Sequence, residues 1–135
     1  MSSGNADRPD DREIARRGLS ALVVAVVAVA LVVSAARVLD VAPGFDPFGY
    51  GPSTLFTVIG VVGATLVYAV LWRVVADPDR TFTLVAGAVL VVSWVPDVVV
   101  APALPGATTG GVLVLAFLHL VVAVVAVGFL TERIP

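Results

Sequence analysis

Four uninterrupted apolar runs dominate this chain, at residues 19–38, 54–76, 82–101 and 110–130. Each is close to the ~20 residues that an α-helix needs to cross ~30 Å of hydrocarbon. Within a bilayer every backbone N–H and C=O must be paired inside its own segment, so such runs are expected to be helical. Valine's preference for strands in water carries little weight there. A transmembrane barrel would need alternating segments of ~10 residues, and these runs do not alternate. The predicted fold is all-α: an integral membrane bundle of four transmembrane helices in antiparallel up-down order.

Composition excludes several rival classes. The chain is 59% hydrophobic and 13% charged, with a mean hydropathy of +1.06, too apolar for a water-soluble domain of 135 residues. There is no cysteine, so disulfides, thiolate metal sites and thiol nucleophiles are excluded. With a single histidine, a zinc or haem site of the usual ligand count is not expected, and no cofactor is implied. A net charge of −2 provides no footprint for nucleic acid. All the basic residues are arginine.

Residues 1–13, "MSSGNADRPDDRE", are polar and aperiodic and predict a flexible tail ahead of one membrane domain at 14–135. The connections are short. "DVAPGFDPFGYGPS" cannot continue a helix, and its Phe45, Phe48 and Tyr50 suit the membrane–water boundary. "DPDR" makes a tight turn in which Pro78 ends the second helix and Asp79 or Thr81 caps the third. In "PALPGATT", Thr108 or Thr109 caps the fourth.

Arginine placement predicts orientation. With a cytoplasmic N-terminus, Arg8, Arg12, Arg16, Arg17, Arg73, Arg80 and Arg133 all lie inside, and only Arg37 lies outside. Both termini are therefore expected in the cytoplasm of a multi-pass cell-membrane protein. The first run, preceded by paired arginines and followed by Ser34, Ala35 and Ala36, also has signal-peptide character. Its length and the three runs after it favour a retained span.

Helix association in lipid depends on close backbone approach and polar contacts. Ala21, Ala25 and Ala28, then Gly60, Gly63 and Ala64, Ala86, Gly87 and Ala88, and Ala116 and Ala123 supply small residues. They are read first as packing within the bundle and second as a dimer face. Trp72 and Trp94 fall near the two boundaries, as anchors.

The chemistry concentrates in "VVSWVPDVVV". An ionised carboxylate in hydrocarbon costs at least ~2.5–3.5 kcal/mol, so Asp97 must be paired, protonated or facing water. It lies ~6 Å inside the outer end of the third helix at 1.5 Å per residue. Pro96 removes the N–H that would bond the carbonyl of Val92, which predicts a helix kink, or else the start of a short terminal helix with Asp97 in its first turn. His119 lies ~14 Å down the fourth helix, which on depth alone misses Asp97 by ~7–8 Å. Helical side chains lean toward their own N-termini, so on antiparallel helices the two groups converge, and contact, direct or through one water, is feasible if their faces match. Arg37 is a competing partner for Asp97, unless Asp40 satisfies it. The candidate intramembrane polar site is thus Asp97, His119 and Arg37, with two readings. One is a clasp that holds the bundle together; the other is a titratable relay or substrate contact. The clasp is favoured.

The last two spans, "RTFTLVAGAVLVVSWVPD" and "LAFLHLVVAVVAVGFL", resemble an uncharacterised family of small four-span prokaryotic membrane proteins, the domain of unknown function numbered 6069. Ser93, Pro96 and His119 carry the sharper part of the likeness. The resemblance implies a four-helix integral membrane domain and no catalytic residues.

Function is expected in the accessory or structural class of membrane protein, in contact with the lipid bilayer and open to a homo-oligomer or a membrane-protein partner. The alternative is an oligomeric transporter for small solutes, or a proton-linked one, using Asp97 and His119. An enzyme is not expected. No nucleophile elbow, phosphate loop, metal set or triad is visible.

Overall fold

The computed structural model describes residues 9–134. Four α-helices fill most of that length: α1 (Asp11–Val38), α2 (Tyr50–Val74), α3 (Pro78–Val99) and α4 (Thr109–Leu130). Short 3-10 turns at Asp46–Phe48 and Ala101–Ala103 interrupt the two longer connections. The chain is all-α, and each helix is long and apolar enough to cross a membrane.

Local chemistry sets the helix ends. Asp10 accepts a hydrogen bond from the Glu13 N–H at 2.7 Å and so opens α1 eight residues ahead of the apolar run. Residues 11–13 of the expected tail are therefore helical; residues 1–8 lie outside the described residues. The cap of α3 is Asp77, which accepts from Arg80 N–H at 3.2 Å, and not Asp79 or Thr81. Pro78 explains the shift. Its missing N–H and fixed φ suit the first helical position, so it begins α3 instead of ending α2. Thr108 caps α4 by accepting from Gly111 N–H at 2.9 Å.

The helices run up and down. The start of α1 meets the ends of α2 and α4, through Arg73–Asp11 and the Arg17 hydrogen bond to the Leu130 carbonyl. The end of α1 meets the start of α2 through Ser34 and Tyr50, 2.8 Å apart, and the Val41 carbonyl just beyond α1 accepts from Thr108 at 2.7 Å. α1 packs along both α2 and α4, whereas α3 lies mainly against α4. At most 28% of any span's most apolar window is buried, so most apolar side chains face outward, as lipid contact requires.

The buried stripe of α1 includes Gly18, Ala21, Ala25, Val29 and Val33, at spacings of three and four residues, and Ala28 does not join it. A Cβ on Gly18 would stand 2.5 Å from Thr65 Oγ1, marking a close approach of α1 and α2. By contrast, a Cβ on Gly63 or Gly87 would meet nothing within 4 Å. These two glycines therefore do not serve the internal packing expected of them.

The α1–α2 connection corrects a second expectation. Phe45 and Phe48 are each 3% exposed and stack edge to face at 5.1 Å, packed against Val33, Ala36 and Leu118. They plug the end of the bundle instead of anchoring at the lipid boundary; only Tyr50 stays exposed. Each ring buries a large apolar area against that cluster, which holds the connection down on the bundle.

Candidate intramembrane polar site

Asp97 sits near the end of α3, its side chain 5% exposed. Its Oδ2 lies 2.8 Å from His119 Nδ1 on α4. The side-chain lean of two antiparallel helices closes the depth difference that separates their backbones. His119 keeps 39% of its side chain exposed, so the pair is asymmetric: a withdrawn carboxylate and an imidazole at the bundle surface. One turn earlier on α3, Trp94 Nε1 donates to the Ala116 carbonyl at 3.1 Å. Trp94 thus bridges α3 and α4 and is more than a boundary anchor.

Pro96 lies inside α3, which continues to Val99 with no separate terminal helix beginning at the proline. Past it, Val100 N–H bonds the Pro96 carbonyl at 2.8 Å.

Arg37 is not brought to Asp97. Its guanidinium lies 4.9 Å from the Tyr50 ring centroid, and Nη1 makes only a long contact, 3.4 Å, to the Phe48 carbonyl. Nor does it pair with Asp40. The folded-back α1–α2 connection presents a ring and a carbonyl to the end of α1, and those capture the cation first.

A second polar cluster, at the opposite end, was not foreseen. Arg17 reaches Glu13 at 3.1 Å, the Leu130 carbonyl at 3.0 Å and Glu132 at 2.8 Å, with a longer 3.5 Å contact to the Tyr68 hydroxyl. Tyr68, fully buried, donates to Asp79 at 2.6 Å. These bonds join α1, α2, α3 and the end of α4. Glu13 lies in the polar turn ahead of the apolar run that begins at Leu19. Hydrogen bonds from Arg16, then Arg17, hold its carboxyl at about 2. The signal was present in part: Glu13 precedes Arg16 and Arg17 at helical i+3 and i+4 spacing. The partnership with Tyr68, 51 positions away, had no local trace.

Residues 9–135 match the family of unknown function DUF6069. The chain belongs to that family. No curated protein and no solved structure matches it. As a DUF6069 member it has its polar groups assigned by geometry alone. Two cavities accompany them, one at the α1–α2 connection and one beside the start of α1, and neither is lined by Asp97 or His119.

Proposed function

We propose that this protein is an accessory or structural membrane protein in which Asp97 and His119 clasp α3 to the rest of the bundle. The reading rests on one observation above the others: the Asp97 carboxylate is withdrawn from the surface and engaged by His119. α3 is the helix least covered by its neighbours, with 11% of its apolar window buried, so it needs polar ties. Interhelical hydrogen bonds of this kind contribute about 0.6–1.7 kcal/mol each in bilayers. Trp94 to Ala116 adds a second. Such a bundle acts through its lipid-facing surface and through membrane-embedded partners. The arginine asymmetry supports cytoplasmic termini.

The second reading, a proton-linked or small-solute transporter built as an oligomer, is favoured by the 39% exposure of His119, which leaves the ring accessible at the bundle surface. Cysteine scanning separates the two, because the native chain has no cysteine. Single cysteines at Val95, Val98, Leu118 and His119 would be labelled with impermeant maleimides from each side of sealed vesicles. The clasp predicts reaction only at the boundary positions Val95 and Val98. Labelling at Leu118 or His119 would put water at mid-membrane and favour transport.

A further inference from the structure

The end of the bundle that carries the α1–α2 connection is almost free of charge. Apart from the buried Asp97, its only acidic or basic side chains among the described residues are Arg37, Asp40 and Asp46. All three line a single cavity of about 390 Å³, bounded by the end of α1 and the α1–α2 connection. Neither carboxylate forms an ion pair or accepts a side-chain hydrogen bond among the described residues, and Arg37 meets only the Tyr50 ring, 4.9 Å from its centroid, and the Phe48 carbonyl at a long 3.4 Å, with no carboxylate partner. All three residues are exposed, so a ligand of matching charge would exchange their water for direct contacts within one concavity.

The walls are preformed. Phe45 and Phe48 are buried beneath the connection, and backbone bonds run from Val41 N–H to the Ala36 carbonyl and from Gly49 N–H to the Asp46 carbonyl. Gly106, from the α3–α4 connection, braces the outside: a Cβ there would lie 2.6 Å from the Gly44 carbonyl carbon. Thr108 pins the Val41 carbonyl. A cavity held this way costs little ordering on binding.

The sign pattern selects the ligand. A simple anion would be repelled by two aspartates and a bare metal cation by the guanidinium. A molecule carrying an amine and a monoanionic group matches both, with the anion on Arg37 and the ammonium between Asp40 and Asp46. We propose that this cavity binds a small zwitterion of the aminoalkyl phosphodiester kind. The same chemistry is presented by a free solute and by the headgroup of an ethanolamine phospholipid.

The test uses the full chain in nanodiscs of phosphatidylglycerol, titrated calorimetrically with glycerophosphoethanolamine. Saturable binding is expected. Inorganic phosphate or ethylamine alone should bind at least about tenfold more weakly, since each loses one charged hydrogen-bonded contact. Arg37→Gln, Asp40→Asn and Asp46→Asn should each weaken binding by roughly tenfold or more on the same grounds. Asparagine tolerates the positive φ of 56° at position 40, so that variant keeps the backbone. Gly106→Ala, which pushes the wall and changes no charge, should weaken binding as well. Circular dichroism and thermal melts would establish that each variant is folded. Including phosphatidylethanolamine in the disc should suppress the titration if the lipid headgroup is the occupant; an unchanged titration would assign the site to a free zwitterion. No saturable binding, equal binding of phosphate alone, or folded Arg37→Gln and Asp46→Asn variants that bind normally would overturn the proposal.

Discussion

Removing one member of the Asp97–His119 pair should not have the same cost as removing the other. His119→Ala takes the only side-chain hydrogen-bond partner among the described residues from a carboxyl whose side chain is 5% exposed. The lost interhelical bond is worth about 0.6–1.7 kcal/mol. Leaving a buried polar group unsatisfied costs a further ~1–3 kcal/mol. The expected destabilisation is therefore about 2–4 kcal/mol. Asp97→Ala leaves behind a histidine that is 39% exposed and can stay a neutral imidazole at the bundle surface, so no buried carboxyl is stranded. Only the bond is lost, at about 1 kcal/mol. In the double variant no buried carboxyl remains, so its cost should fall well below the sum of the two singles. The assay is reversible unfolding in mixed micelles by titration with sodium dodecyl sulfate, followed by circular dichroism and tryptophan fluorescence. Trp94, bonded across the same helix pair, should report the loosening. The reasoning fails if Asp97→Ala costs as much as His119→Ala, or if the double variant equals the sum within ~0.5 kcal/mol.

Three further outcomes follow from the packing and the charged end. Gly18→Ala should destabilise by about 1–3 kcal/mol, because its Cβ would overlap Thr65, whose hydroxyl is bonded to the Val61 carbonyl; Gly63→Ala and Gly87→Ala, which meet open space, should be near neutral in the same unfolding assay. Tyr68→Phe removes the bond to Asp79 but keeps the edge-to-face contact with Phe82 at 5.2 Å, so a loss of about 1–2 kcal/mol is expected, against about 3–5 kcal/mol for Tyr68→Ala. Glu13, whose carboxyl is held at about 2 in the folded chain against 4.5 ordinarily, stabilises the ionised fold above pH 4.5, and that contribution should disappear as pH falls from 4.5 toward 2. Glu13→Gln should flatten that part of a melting-temperature profile against pH; an unchanged profile would remove Glu13 from the account.

The length and continuity of the apolar runs determined, without any tertiary information, that the chain forms four helices long and apolar enough to cross a membrane. Backbone hydrogen bonds have no other solution in hydrocarbon, and that constraint is local to each segment. Short connections made the helices antiparallel. The convergence in depth of Asp97 and His119 could be projected, since helical lean and rise are local properties, but that their faces match, at 2.8 Å, was decided by helix rotation. Side chains whose partners are set by how the helices rotate against one another were not legible. Arg37 turns to Tyr50 and Phe48 because the α1–α2 connection folds back on α1, and no spacing rule specifies that path. Phe45 and Phe48 look like boundary aromatics by composition, yet the folded-back connection buries both in the core cluster with Val33, Ala36 and Leu118. Arg17 finds Tyr68, and Tyr68 finds Asp79, only once three helices share an end. Secondary structure and topology follow from the solvent each segment must satisfy. Polar partnership and cavity shape follow from helix rotation, which depends on every contact in the bundle at once.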